Sequence, residues 1–317
     1  MSESWTVLRL LTWTTDFLKE RGSENPRLDA EVLLAAAKGC ERIMLYTAFD
    51  EVVSEEVRGK FRELVKRRAD GVPVAYLVGQ REFYSLRLKV TPDVLIPRPE
   101  TEFVVIAALD HLNKAGGKET GDRGQGTGDG RGDTTTTHRS PLTTHSLRVA
   151  DVGTGSGAIA IAIAKHSPTC RVTAIDTSQA ALAVARENAA QHQVAERIDF
   201  REGDLLAAIP AKPQFAVIAS NPPYVSDSEY AALSPQVKDH EPKLALVAGP
   251  TGTEVIARLI PQAAERLLPG GLLVIEVSPM IAPRVVELFA ADGRFEPATI
   301  GKDLAQQARI VQAIRKS

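Results

Sequence analysis

Apolar residues recur at three- and four-residue spacing through the first part of the chain. Val7, Leu10, Leu11 and the pair Phe17-Leu18 make one such face, and Ala30, Leu33, Leu34 and Ala37 make another. That spacing puts side chains on one side of a helix, so residues 1 to about 75 are expected to form a small helical bundle. Gly22, Gly39 and Gly71 fall where its helices could stop. From Glu82 the period changes: EFYSLRLKVTPDVLIP alternates apolar and polar residues as a β-hairpin does, with Pro92-Asp93 as a turn. This hairpin, at 76–96, is expected to join the bundle to the rest of the chain.

Residues 97–317 read as a second domain, interrupted at 113–146 by NKAGGKETGDRGQGTGDGRGDTTTTHRSPLTTHS. That segment is rich in Gly, Asp and Thr and nearly empty of apolar side chains. It cannot bury enough surface to offset its ordering entropy, which predicts a disordered insertion. A glycine-rich nucleic-acid-binding segment is the competing reading. Its arginines are balanced by acids, however, and it has no aromatic ring on which a base could stack.

After the insertion, strand and helix patterns alternate. Arg148–Val152, Arg171–Asp176, Ile198–Arg201, Phe215–Ala219 and Gly271–Val277 read as strands. Ala158–Lys165, Ser178–Gln191 and a stretch near Ile281–Phe289 read as helices. Segments around Phe295–Ile300 and Ala308–Ile314 could close the sheet as an antiparallel pair. Such alternation predicts an α/β fold with a doubly wound, mostly parallel sheet.

Composition narrows the classes. A formal net charge of −2 supplies no global basic field to draw the protein onto nucleic acid, so direct nucleic-acid binding is not expected. The longest apolar runs, such as Ala158–Ala164, are too short for a bilayer. The opening MSESWTVLRLLTWTTDF breaks its apolar run at Arg9 and reads as an amphipathic helix rather than a signal peptide. Cys40 and Cys170 have no metal spacing, and the six histidines form no ligand cluster, so no metal is expected. These features together point to the cytoplasm.

The chemistry gathers at strand ends. Asp151-Val-Gly153-Thr154-Gly155-Ser156-Gly157-Ala158 lies between the first core strand and its helix, where glycines allow a sharp turn and close approach of a ligand. Asp176 ends the next strand, about 20 residues on, where a carboxylate can accept from both hydroxyls of a ribose. Asp204 and Leu205 come after the third strand; they suit the amine and the ring face of an adenine. This pattern fits NAD as well as S-adenosylmethionine, and the glycine loop alone does not separate them.

SNPPY, residues 220–224, does separate them. Its prolines end the strand and force the backbone out of the sheet. A nitrogen attacking a sulfonium methyl must aim its lone pair along the S–CH₃ axis. The Asn221 side-chain oxygen and the Pro222 carbonyl can accept its two N–H groups and fix that direction, with Pro223 stiffening the loop. Tyr224 can present an aromatic face to a planar group or a cationic methyl. Catalysis would then be mainly positioning, with no side-chain nucleophile.

With these residues in place, the chain resembles the peptide-chain-release-factor glutamine N5-methyltransferases, the HemK/PrmC type. The likeness rests on Pro73–Gly79 with Glu82-Phe83-Tyr84, on Leu95-Ile-Pro-Arg-Pro-Glu-Thr-Glu102, on DVGTGSGAIAIAIA, on Ala174-Ile-Asp176, on Asn221-Pro-Pro-Tyr-Val225, and on Glu241-Pro with Ala245-Leu246. It implies a Rossmann-like seven-stranded methyltransferase domain behind an N-terminal helical domain, with S-adenosyl-L-methionine as cofactor. It also implies cofactor contacts at Gly153 to Gly157, Asp176, Leu205 and Asn221, and substrate contacts at Asn221 to Tyr224. The implied substrate is the glutamine of the Gly-Gly-Gln motif in class I peptide chain release factors. The helical part would help to dock that partner, and Arg58, Arg62, Lys66, Arg67 and Arg68 offer a basic helix face, beside Glu55 and Glu63 that could neutralise it. Two other readings remain: an N-methyltransferase acting on an exocyclic amine of DNA or rRNA, and an inactive docking module. The stretch Glu276-Val-Ser-Pro-Met280 departs from the family pattern in lacking a glycine.

Overall fold

The computed structural model describes residues 4–115 and 147–317. The chain opens with a bundle of α1 (Val7–Glu20), α2 (Pro26–Lys38), α3 (Ile43–Tyr46), α4 (Glu55–Ala69) and α5 (Val74–Val78). Thr6 and Ser54 cap α1 and α4 by accepting from the Arg9 and Val57 amides, and Gly39 ends α2 in the left-handed conformation. Leu11, Leu33, Leu34, Leu45 and Phe61 fill a core belonging to this bundle alone.

The expected basic face is smaller than its sequence suggests. Arg62, Lys66 and Arg67 are exposed, and Arg58 and Arg62 both pair with Glu55. Arg68 instead lies buried, its guanidinium 2.7 Å from Asp29. Helical spacing explains this: residues 61, 65 and 68 share one face, and Phe61 and Val65 turn it inward.

β1 (Gln80–Phe83) and β2 (Leu86–Lys89) pair antiparallel as the hairpin. Its turn is Tyr84-Ser85, not Pro92-Asp93. Tyr84 and Ser85 take φ of 49° and 59°, the two positive values that a tight hairpin turn matching the strand twist requires. Neither residue is the Gly or Asn that announces such a turn. Pro92-Asp93 makes a separate turn, closed by the Val94 amide on the Thr91 carbonyl at 3.1 Å.

A short turn at Pro99–Thr101 leads into α6 (Glu102–Ala115). Residues 113–115 of the expected insertion are therefore helical, and the rest of it lies outside the described residues. Next come β3 (Arg148–Val152), α7 (Ala158–His166), β4 (Arg171–Asp176), α8 (Gln179–Gln191), β5 (Ile198–Glu202), β6 (Phe215–Ser220), β7 (Val225–Ser226), α9 (Asp227–Ala232) and α10 (Pro235–Lys238). β8 (Val247–Gly249), α11 (Glu254–Arg266), β9 (Leu267–Glu276), α12 (Ala282–Asp292), β10 (Thr299–Lys302) and β11 (Ala308–Ile314) complete the chain.

Seven strands form one sheet in the order β10-β11-β9-β6-β3-β4-β5, with β10 and β11 antiparallel and the rest parallel. β10 begins at Thr299 rather than near Phe295, which makes only an isolated bridge to Arg315. Successive side chains feed opposite faces. Val149, Val217, Ala219, Leu272 and Val274 pack with α6 and α7, whereas Ala150, Val152, Ile218, Leu273 and Ile275 pack with α11 and α12. Helices on both faces explain why the central strands read as unbroken apolar runs.

The chain winds outward from β3 through β4 to β5, then resumes at β6 on the other side of β3. That reversal opens a crevice at the carboxyl ends of β3 and β6. The hairpin is held to the same region by the buried Asn188 of α8, which bonds both the amide and the carbonyl of Lys89 and also the carbonyl of Ser156.

Candidate active site

The glycine loop after β3 is held by its own bonds. The amides of Gly153 and Thr154 both donate to the Ile175 carbonyl at 2.9 Å, and the Gly157 amide donates to the Thr154 carbonyl. Gly155, at φ 54°, has only open space where a side chain would project, so the loop presents a cradle rather than a packed surface. Gly157 is different. A side chain there would meet Ile161 and Ala185, so this glycine serves helix packing.

Asp151 lies beneath the loop, fully buried. It accepts from the Thr154 hydroxyl at 2.6 Å and the Ala160 amide at 3.0 Å, while Oδ1 has no partner among the described residues. Burial pushes its carboxyl up to about 7 against those two donors, and the nearby Asp176 adds to the rise. Asp176 accepts from the Gly155 amide at 2.8 Å on one oxygen and from the Ser178 amide at 2.9 Å on the other. Each of these oxygens keeps a second lone pair for an incoming hydroxyl.

These residues open onto a cavity of about 250 Å³. Gly153, Gly155, Asp176, Asp204, Leu205 and Pro223 line it, and Val94, Leu95, Val247 and Val255 supply apolar wall. Thr154 and Ser156 are buried outside that lining, as is Pro222. Asp204 is half exposed and pairs with Arg258. Leu205 stands at φ 53°, an unusual backbone for a leucine, beside the cavity. An open glycine cradle, a carboxylate with free lone pairs and an apolar wall suit an adenosine with a charged tail. The donor set therefore fits S-adenosylmethionine.

Five residues that sequence reasoning had not given a role surround SNPPY. Ser220, at the end of β6, anchors to the Val152 carbonyl at 2.7 Å. Asn221 then donates Nδ2–H to the Thr101 hydroxyl at 3.0 Å, which leaves its Oδ1 as the unused atom of the amide. Tyr224 donates its hydroxyl to Glu276 Oε1 at 3.1 Å, and burial together with that carboxylate holds its pKa above the ordinary value. Arg98 reaches Glu241 at 2.5 Å, and the Glu241 side chain is 1% exposed. Burial raises the Glu241 pKa against that guanidinium. Gly252 completes the clamp: a side chain there would stand 2.6 Å from the Tyr224 carbonyl. The Leu95–Glu102 string supplies Arg98 and Thr101. Glu241 lies in the Glu241-Pro string, and Glu276 and Gly252 carried no signal of a role.

Among the described residues no group of His, Cys, Asp and Glu is clustered to hold a metal. No described helix is long and apolar enough to cross a membrane.

The family described as the PrmC N-terminal domain matches residues 9–79, and the methyltransferase small domain matches 135–239. A release factor glutamine methyltransferase of Rhodopirellula baltica is 48% identical over 307 residues, covering 97% of this chain and 95% of the relative. One of the same description from Geobacter sulfurreducens is 37% identical, covering 92% and 90%. Among solved structures, a ribosomal protein L11 methylase from Lactobacillus delbrueckii subsp. bulgaricus aligns at 21% identity and a TM-score of 0.45, covering 73% of this chain and 86% of that one.

Proposed function

The chain belongs to the release factor glutamine methyltransferase family, and on that premise we propose that it methylates the side-chain nitrogen (N5) of the glutamine in the Gly-Gly-Gln motif of class I release factors. The observation that carries the reading is the position of Asn221-Pro222-Pro223-Tyr224: it leaves the sheet at the carboxyl end of β6, across the switch point from the glycine loop of β3.

Gly153, Gly155, Asp176, Asp204 and Leu205, the members of the expected set that line the cavity, hold the cofactor in this reading. Asp176 takes the ribose hydroxyls, Leu205 lies against the base, and Asp204 takes its amine. S-adenosyl-L-methionine, when bound, supplies an electrophilic methyl on a sulfonium. Asn221 Oδ1 and the Pro222 carbonyl accept the two N–H groups of the substrate amide and aim its lone pair. Tyr224, fixed at its hydroxyl end by Glu276, offers its ring as a wall for the planar group. The chain's contribution is orientation and exclusion of water.

The test is methyl transfer from labelled cofactor to a purified class I release factor. A Gln→Ala version of its Gly-Gly-Gln loop, bulk DNA and rRNA run alongside. Label that appears on the factor and vanishes in the Ala version supports the reading. Label on nucleic acid alone would keep the amine logic and overturn the substrate.

A further inference from the structure

We propose that Asn188 is a positioning residue for the cofactor: it ties the segment leading out of the helical bundle to the glycine loop, and so links the seat of that bundle to the affinity for S-adenosylmethionine. The inference rests on reading the cavity as the cofactor site and supplies what holds two of its walls together.

One wall is the glycine loop, through Gly153 and Gly155. Another is Asp93-Val94-Leu95, on the stretch that follows the β1–β2 hairpin. Helix α8 packs against both. Its Ala181 and Val184 meet Val90 and Val94 in a small apolar cluster, and its Ala185 stands where a side chain on Gly157 would project. Residues 181, 184, 185 and 188 fall on one helical face, so Asn188 continues that stripe.

Asn188 is fully buried, and main-chain groups place each of its polar atoms. Oδ1 accepts from the Lys89 amide at 2.7 Å, and Nδ2 donates to the Lys89 carbonyl at 3.0 Å and the Ser156 carbonyl at 2.9 Å. A backbone N–H can only donate and a carbonyl can only accept, so this amide can stand only one way round. By taking both polar groups of one residue, Asn188 meets Lys89 as a neighbouring strand would. Its remaining proton meets the loop one residue after Gly155, whose own amide bonds Asp176. One side chain therefore satisfies three main-chain groups on two segments, and its loss releases both at once.

Other bonds from α8 to the hairpin lack this second reach. Glu187 pairs with the Lys89 ammonium at 2.5 Å, and Gln191 donates to the Arg87 carbonyl at 3.0 Å; both are exposed and bond the hairpin alone. The bundle holds the same exit segment from its own side, where the Tyr76 hydroxyl of α5 donates to the Val94 carbonyl at 2.6 Å. Bundle, exit segment, α8 and glycine loop thus make one continuous set of contacts that ends at the cavity. A ligand gripped by both walls favours the arrangement that holds them together, and such coupling is reciprocal.

The test uses the full chain, with S-adenosylhomocysteine, the demethylated cofactor, as probe. Asn188→Ala is expected to weaken its binding on the order of 10-fold in titration calorimetry, although Asn188 does not line the cavity. KM for S-adenosylmethionine should rise by a similar factor while kcat at saturating cofactor holds. Tyr76→Phe removes a single hydroxyl, keeps the test open should Asn188→Ala fail to fold, and should weaken the probe several-fold. Gln191→Ala, which loosens the hairpin without touching the loop, should bind the probe like wild type. Hydrogen exchange in the ligand-free chain is the second readout. The Val90 and Gly157 amides, whose own acceptors are Gly79 and Thr154, should open together in wild type and separately in Asn188→Ala. Unchanged probe affinity in Asn188→Ala or Tyr76→Phe, an equal loss in Gln191→Ala, or amides that open independently in wild type overturns the proposal. A wild-type chain that does not bind the probe overturns the cofactor reading instead, and the exchange of those two amides then decides this one alone.

Discussion

The two ends of the site are built by different means. At the cofactor end the loop is shaped mainly by main-chain bonds to itself and to the adjacent strand: Gly153 and Thr154 on the Ile175 carbonyl and Gly157 on Thr154, with the Asp176 carboxylate taking the Gly155 amide. At the substrate end the loop after β6 is shaped by side chains brought from far away. Thr101 stands 120 residues from its partner Asn221, Arg98 stands 143 from Glu241, and Glu276 stands 52 from Tyr224. A ligand common to many enzymes can be held by the main chain, which hardly varies. A loop that must aim one nitrogen needs side chains with defined polarity, and these come from wherever the fold can supply them.

If that contrast is right, the largest single effect lies at Asn221. Asn221→Ala should cost about 2–4 kcal/mol of transition-state stabilisation, because an acceptor aimed at the reacting group is lost. Cofactor affinity, measured by titration calorimetry, should change far less. Near-wild-type turnover would show that the loop positions nothing through this side chain.

The next effect falls on the clamp. Arg98→Ala leaves the Glu241 carboxyl buried without its counter-ion, a change expected to lower stability by about 1–3 kcal/mol after allowance for the one-third exposure of Arg98. The pH dependence has a definite sign. Burial holds the Glu241 pKa above its ordinary value, so the stability it contributes is full at low pH and lost as pH rises through the raised value. Removing the guanidinium raises that pKa further. Denaturant unfolding at about pH 5 and about pH 8 should show the deficit of the variant growing with pH, and an equal deficit at both would count against this ion pair.

The same contrast decides what the sequence could show. The glycine loop, Asp176 and the Asp204-Leu205 pair lie in one window of alternating strands and helices, so spacing alone exposed them. The sheet came from the same alternation, apart from the starts of β9 and β10. The hairpin period was readable, but its turn was not, since Tyr84 and Ser85 adopt left-handed backbone that their side chains do not advertise. Arg68 misled because charge was weighed before helical spacing; its register with Phe61 and Val65 was available. Thr101, Arg98 and Glu276 could not be found by pattern at all. One threonine or one glutamate has no period, and what gives each a role is a partner more than fifty residues away. The strings that contain Arg98, Thr101 and Glu241 stood out only through the likeness to a family.

The smallest effect sharpens the comparison from the cofactor end. Gly157 has φ 84°, and an added Cβ would stand 2.9 Å from Ile161 Cδ1 and 3.1 Å from Ala185 Cβ. The first contact is with the end of a flexible side chain, which can yield. The second lies against α8, and the left-handed backbone adds strain of its own, about 1 kcal/mol for an alanine. Gly157→Ala is therefore expected to lose about 1–2 kcal/mol of stability, read from thermal or denaturant unfolding. Because this glycine faces helices rather than the cavity, kcat at saturating cofactor should hold. Gly155 gives the opposite pattern: its space is open, so Gly155→Ala adds only the backbone strain to stability and directs its methyl into the cradle, where cofactor affinity falls. Should Gly157→Ala weaken the cofactor more than Gly155→Ala does, the division of this loop into one packing glycine and one binding glycine would be wrong.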